Sequence, residues 1–293
     1  MSDTTGAGSA TASSTLTEVE LAEIAVANAS GKTPVLFVHG LWLLSSSWQP
    51  WRELFEAEGY ATLAPSWPDD PATVEESLAH PDAFAGKMVK QVTEHYAEAI
   101  ALLDQSPVLI GHSFGGLIAQ KLAGEGLGAV TVAIDPAQFK GVTALPVSAL
   151  KAGAPALLQF NHTKHGVTLT FEQFSYGWSN TLPVEEGKAL YEKYHVPASG
   201  VPIFQAATAN FNPFAETAVD TENHERGPLL LIAGELDHTV PVAVVENEYK
   251  IQKKNPGETE LAIIPGRGHS LTIDSGWRGV ADTALEFVQR YLP

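Results

Sequence analysis

The chain has 293 residues, 44% hydrophobic and 17% charged, which suits a globular protein with a large core in one or two domains. Its formal net charge of −17 argues against nucleic acid or an anionic membrane as partner, and no apolar run reaches the length of a membrane span. There is no cysteine, so a disulfide framework and thiolate chemistry are excluded.

The start, "MSDTTGAGSATASSTLTE", lacks the basic and apolar regions of a signal peptide. A mobile polar tail over residues 1–20 and a cytoplasmic location are the expectations. The next stretch, "LTEVELAEIAVANASGK", fits strand or helix equally well. "PVLFVHG" (34–40) is a buried-strand pattern, and "SSWQPWRELFEAEG" (46–59) is helical and ends at a glycine. Strand "YATLAPSWP" (60–68), helix "AFAGKMVKQVTEHYAEAIALLD" (83–104), strand "PVLIGHS", helix "FGGLIAQKLAGEG" and strand "AVTVAIDPA" (129–137) follow. The rhythm returns with "GPLLLIAGELD" (227–237), "VAVVENEYKIQKK" (242–254), "ETELAIIPGRGH" (258–269) and "GVADTALEFVQRYL" (279–292). Apolar strands alternating with helices predict an α/β fold, a doubly wound and mostly parallel sheet covered on both faces. The core is expected over 21–138 and 227–293.

Between 139 and 226 the rhythm fails and aromatics accumulate. A structureless loop of that length is unlikely in a compact domain, so a helical insertion is expected, acting as a cap over a site. Trp42 and the insertion aromatics Phe160, Phe174, Tyr176, Trp178 and Phe211 are the candidate substrate contacts.

"GHSFG" (111–115) follows an apolar strand and opens a helix, the context in which G-x-S-x-G marks a strained turn that exposes a nucleophile. Ser113 is the candidate nucleophile. A hydroxyl needs a base, an orienting acid and an oxyanion site. His269 in "IIPGRGHSL" follows the last strand and is the candidate base. The acid has three candidates: Asp237 in "AGELDHTVP", Asp135 in "VAIDPA" and, more weakly, Glu235. Asp237 is favoured because its strand should neighbour the one leading to His269. The backbone N–H of Phe114, the residue after the nucleophile, is one expected oxyanion donor. The N–H of Leu41, in the "HGLW" turn, is the other. His39 is expected to brace that turn.

"FVHGLW", "GHSFGG", "AGELDHTVP" and "PGRGHSL", in that order, resemble the α/β-hydrolase superfamily. More narrowly, the chain is similar to bacterial serine esterase- and lipase-like members with a helical cap after the sixth strand. The resemblance spans about residues 33–291 and implies Ser113, Asp237 and His269 as the triad, with Leu41 and Phe114 as oxyanion donors. It implies no cofactor. The usual first two antiparallel strands are not evident in the sequence.

The expected activity is hydrolysis of a small apolar or aromatic carboxylic ester through an acyl-enzyme. Hydroxynitrile-lyase-like, lactonase and perhydrolase or haloperoxidase-like activities use the same triad, and a ligand receptor could share the scaffold. Lys140, Lys151, Lys164 or Lys188 could anchor a substrate carboxylate. The pair His162 and His165 lacks further ligands, so no metal is expected. Asp69 and Asp70 read as a solvated loop. No nucleotide-binding loop is present. The sequence sets no oligomeric state, and a monomer is the working expectation.

Overall fold

The computed structural model describes residues 14–292. Six strands form one parallel sheet: β1 (Pro34–Val38), β2 (Ala61–Leu63), β3 (Val108–His112), β4 (Val130–Ile134), β5 (Leu229–Gly234) and β6 (Thr259–Ile264). Their order is β2-β1-β3-β4-β5-β6, so the chain winds outward from β1 to β2 and then back past it to β3. The gap between the ends of β1 and β3 is therefore the switch point, where an open α/β sheet leaves a crevice at its carboxyl edge.

The inner strands are buried along their whole length, and successive residues serve opposite layers. Leu36, Val38, Leu109 and Leu231 pack with α1 (Glu18–Ser30), α4 (Val89–Ala101), α5 (Phe114–Gly124) and α10 (Val242–Gln252). Phe37, Ile110, Val132 and Ile232 pack with α2 (Gln49–Ala57) and α11 (Trp277–Tyr291). The short α3 (Val74–Ala79) lies between β2 and α4 in the chain.

The start of the chain differs from expectation. Residues 1–13 of the expected tail lie outside the described residues, but 14–20 are built into the fold. The Thr15 hydroxyl donates to Glu98 Oε2 at 2.7 Å, and Leu16 is buried. A capping box of Thr17 and Glu20 then starts α1. Glu20 also meets His95 Nε2 at 3.2 Å, which ties α1 to α4, and α1 packs against β2. Among the described residues the insertion follows the fourth strand in chain order, not the sixth.

The insertion folds as α6 (Val147–Leu157), α7 (Phe171–Gly177), α8 (Val184–Tyr194) and α9 (Val201–Thr208), ending in a short 3-10 turn. Its centre is aromatic: Phe174 stacks on Trp178 with centroids 5.7 Å apart and meets Tyr191 edge-on at 5.4 Å.

One buried carboxyl lies between α5 and α10. Glu248 Oε2 accepts from Gln120 Nε2 at 2.8 Å, and Gln120 Oε1 accepts from Gln252 Nε2 at 2.9 Å. Burial pushes the Glu248 carboxyl well above its ordinary range, against a smaller opposite pull from Gln120. Stability from this group is therefore full below the ordinary carboxyl pKa and lost as pH rises toward the raised one. Glu248→Gln keeps the shape without the titration. Its melting temperature should exceed wild type at pH 8, with the gap closing toward pH 4. A gap that is absent at pH 8, or equal at both pH values, contradicts this protonation state.

Candidate active site

The turn after β3 is held by backbone approach. A Cβ at Gly115 would sit 2.0 Å from the Val38 carbonyl oxygen, so α5 can cross the end of β1 only with glycine there. Ser113 takes the turn at φ +58°, ψ −123°, a strained conformation for a residue with a side chain. Its N–H donates to Ile134 O at 2.9 Å, and its carbonyl accepts from Gly116 and Ala137 N–H, each at 2.9 Å. Phe114 is the first residue of α5, whose opening N–H groups have no partner inside the helix.

The "HGLW" turn packs on this elbow: a Cβ at Gly40 would lie 2.9 Å from Ser113 Cβ and 3.4 Å from Phe114 N. His39 braces it from behind. Its Nε2 accepts from Trp67 N–H at 3.2 Å, so Nδ1 carries the proton and donates to Gly40 O at 2.9 Å. Burial lowers the His39 pKa to about 4, helped by the Lys87 charge, so the ring is neutral. Trp42 follows at φ +63° and is tied to the insertion twice, by Nε1 donating to Val167 O at 2.9 Å and by Val196 N–H donating to its carbonyl at 3.1 Å.

Asp70 is not in a solvated loop. Its side chain is 3% exposed, pairs with Lys87 Nζ, and brings Oδ2 to 3.7 Å from His39 Nε2. The "PDD" stretch turns inward because Lys87 is itself buried and needs a counter-charge. Asp69, at φ +61°, stays outside.

His269 and Asp237 meet at the next strand ends. Nδ1 of His269 lies 2.6 Å from Asp237 Oδ2, and both side chains are fully buried. Asp237 Oδ1 accepts from Thr239 and Val240 N–H at 2.6 and 2.9 Å. Three donors satisfy this carboxylate and fix its orientation. The opposite ring nitrogen of His269, Nε2, is buried with no hydrogen-bond partner among the described residues. Asp135, at the end of β4, stands one step further away, with Oδ2 at 4.0 Å from His269 Nδ1. Glu235 is drawn outward and accepts from Gly266 N–H at 2.8 Å. His112, the neighbour of Ser113, places its ring centroid 4.6 Å from that of His269. Burial drives the His112 pKa well below normal, and the His269 side adds to that.

A cavity of about 90 Å³ opens from Ser113. It is mostly apolar, formed between α6 and α9, with Leu145, Ala149, Gly153, Leu157, Ile203 and Ala206 among its walls. Of the side chains expected to touch substrate, Trp42 lines it and five do not. Phe174 is fully buried in the centre of the insertion, and Trp178 covers His269 with ring centroids 4.6 Å apart. Tyr176 lies against Lys151 and His238. Phe160 and Phe211 are 94% and 90% exposed. The proposed carboxylate anchors are elsewhere too: Lys140 donates to Pro213 O at 3.0 Å, and Lys188 pairs with Glu192 at 3.8 Å. Lys164 does not line the cavity either.

A model of the alpha/beta hydrolase family matches residues 35–283, and the chain belongs to that family. No curated protein matches the chain. Among solved structures it is similar to the monoacylglycerol lipase of Paleococcus ferrophilus, at TM-score 0.61 and 19% identity over 88% of this chain and 94% of that one. It is likewise similar to a pyrethroid hydrolase from Sphingobium faniae, at 0.59 and 20% over 88% and 97%. A third is tomato methylketone synthase I, at 0.61 and 18% over 89% and 99%. At these identities the likeness shows the shared fold.

The Lys87–Asp70 pair beneath the "HGLW" turn makes a quantitative prediction. Lys87→Met strands a buried carboxylate and should cost about 3–5 kcal/mol of stability in urea unfolding, whereas Lys87→Met with Asp70→Leu should recover most of the loss. A single variant within about 0.5 kcal/mol of wild type would contradict a buried pair, because that is the range of ordinary surface changes.

Proposed function

We propose that this protein is a serine hydrolase that cleaves a carboxylic ester carrying a small, neutral, apolar acyl group. The observation that carries the reading is the His269 imidazole: Nδ1 is fixed by the Asp237 carboxylate, while Nε2 is buried with no hydrogen-bond partner among the described residues, in a ring whose centroid lies 4.6 Å from that of His112, the neighbour of the strained Ser113. An imidazole held in one tautomer with its free nitrogen facing a reaction site is what a general base requires.

In this reading Ser113 Oγ attacks the ester carbonyl and His269 Nε2 takes its proton. Asp237 stabilises the imidazolium that results. The carbonyl oxygen becomes an oxyanion against the N–H groups of Phe114 and Leu41, whose turn the Gly40 contact holds to the elbow. His269 then returns the proton to the leaving alcohol, leaving an acyl-enzyme on Ser113. Water, activated by the same nitrogen, releases the acid. The chemistry asks for no metal or cofactor.

The acyl group is argued from the cavity. Its walls are mostly aliphatic, joined by Trp42 and Phe114, with Gln138 and Thr239 as polar residues besides Ser113, and among the described residues no lysine or arginine lines it. A substrate carboxylate would find no counter-charge there. The same feature disfavours a hydroxynitrile-lyase reading, which needs a cation at the pocket. The segment 139–226 serves as the cap, since α6 and α9 roof the serine.

Two measurements test this. A reactive organophosphonate should add one group, and mass spectrometry of a digest should find it on Ser113. Label on another serine, or none, sinks the assignment. Gly153→Leu puts a larger side chain into the cavity wall, where a Cβ meets only Ile203 and Leu157 at 3.7 Å. The kcat/KM ratio of hexanoate to acetate p-nitrophenyl esters should fall by about tenfold or more, the order expected when a pocket loses room for methylenes. An unchanged ratio would move the acyl group elsewhere.

A further inference from the structure

Two buried carboxyls, not one, approach the inner side of the imidazole. Asp135 ends β4 with φ +40°, a left-handed backbone that points its side chain toward β5 rather than out of the sheet. It is fully buried. Oδ1 accepts the Gly234 N–H at 2.7 Å, whereas Oδ2 has no partner among the described residues and lies 4.0 Å from His269 Nδ1. One atom each from His112, Asp135 and His269 falls within 4.8 Å of the others, so this side of the site is a closed polar cluster in a dry surround. Asp237 has three donors for its two oxygens and Asp135 has one. An orphaned carboxylate oxygen in such a place is costly, and a proton on it removes the cost.

We propose that Asp135 is a positioning residue for His269: a reserve acid that hydrogen-bonds Asp237 in the resting protein and takes over the Nδ1–H when Asp237 is lost. The inference rests on the reading of Ser113, His269 and Asp237 given above.

The electrostatics agree with the geometry. Burial, and then the negative Asp237, push the Asp135 carboxyl well above its ordinary range. The Gly234 N–H and the Arg267 charge pull the other way. His269 and His112 are the remaining titratable groups that face it, and the latter is neutral. Asp135 therefore carries its proton, gives a hydrogen bond to the Asp237 carboxylate, and leaves the imidazole N–H to Asp237.

Replacing Asp237 by asparagine inverts the arrangement. The Thr239 and Val240 N–H groups hold the amide oxygen, so the amide NH2 turns toward His269 and cannot accept its proton. Of the two causes that hold Asp135 protonated, burial remains and the Asp237 charge is gone, which brings its carboxyl back toward the ordinary range. Asp135 releases its proton to solvent and becomes the carboxylate in reach of Nδ1, after the ring closes roughly 1 Å to hydrogen-bond distance.

The test is a double-mutant cycle of Asp135→Asn and Asp237→Asn, read as kcat on an activated ester over a pH range. Asp135→Asn alone should stay within about tenfold of wild type, because its amide can still donate to Asp237. Asp237→Asn alone should fall well short of the about 10⁴-fold loss that follows removal of a sole orienting acid, and the double variant should reach it. The residual activity of Asp237→Asn should rise with pH along one carboxyl ionisation, a limb missing from the double variant. The proposal is overturned if Asp237→Asn alone loses about 10⁴-fold and Asp135→Asn adds nothing to it. Should the double variant not fold, the pH limb of Asp237→Asn decides alone, and its absence counts against Asp135. A low-field imidazole N–H resonance gives a readout without turnover. It should survive Asp237→Asn and vanish in the double variant, even if the wild type hydrolysed no ester, an outcome that would sink the esterase reading and leave this one standing.

Discussion

The structure depends on one crossing of backbones. Helix α5 leaves β3 so close to β1 that no side chain fits at Gly115 against the Val38 carbonyl. That contact fixes where the turn must be made and so forces Ser113 into a strained conformation at the sheet's switch point. The same contact aims the unpaired N–H groups at the start of α5 into the crevice. Gly40 brings the turn after β1 onto the elbow, so the Ser113 turn and the "HGLW" turn are held together by close backbone packing. Nothing at this point needs a flexible loop to close.

Around that crossing, burial and charge have been sorted with care for partners. Asp237 is surrounded by donors, His39 is neutral and doubly bonded, and the Lys87 charge is met by Asp70. The insertion is fastened to three strand-end loops: through Trp42, through Thr239 Oγ1 donating to Gly177 O at 2.8 Å, and through Ser270 N–H donating to Trp178 O at 3.1 Å. These ties fasten the insertion over the strand ends, with the cavity at Ser113 on its underside. A preorganised site of this kind spends little reorganisation at the moment of reaction.

Much of this was legible in the sequence, and the reasons are local. The strand–turn–helix context of "GHSFG" carries its own geometry, because the glycines are demanded by backbone contact. His269 and Asp237 could be placed because each follows an apolar strand and the strands are neighbours. The cavity could not be read in the same way. Aromatic residues in the insertion looked like substrate contacts, but an aromatic ring serves a core as well as a pocket, and Phe174 and Trp178 went to the core. Apart from Trp42 and Phe114, the walls are mainly alanines, a glycine and branched aliphatics, whose place depends on how α6 and α9 face each other rather than on residue type. Asp70 was misleading for a related reason: its partner Lys87 is 17 residues away, and only tertiary packing brings the two together. The helix α1 was undecided because its pattern is weakly amphipathic, and the capping box at Thr17 was the signal that could have settled it.

The central claim is that Ser113 forms a covalent acyl intermediate. Rapid-mixing kinetics with a p-nitrophenyl ester test it most directly. The account predicts a burst of p-nitrophenol close to one equivalent per chain wherever deacylation is the slower step, with the acyl group recovered on Ser113 by acid quench and mass spectrometry, and no burst from Ser113→Ala. Turnover that persists undiminished in Ser113→Ala, or an acyl group trapped on another residue, would contradict it.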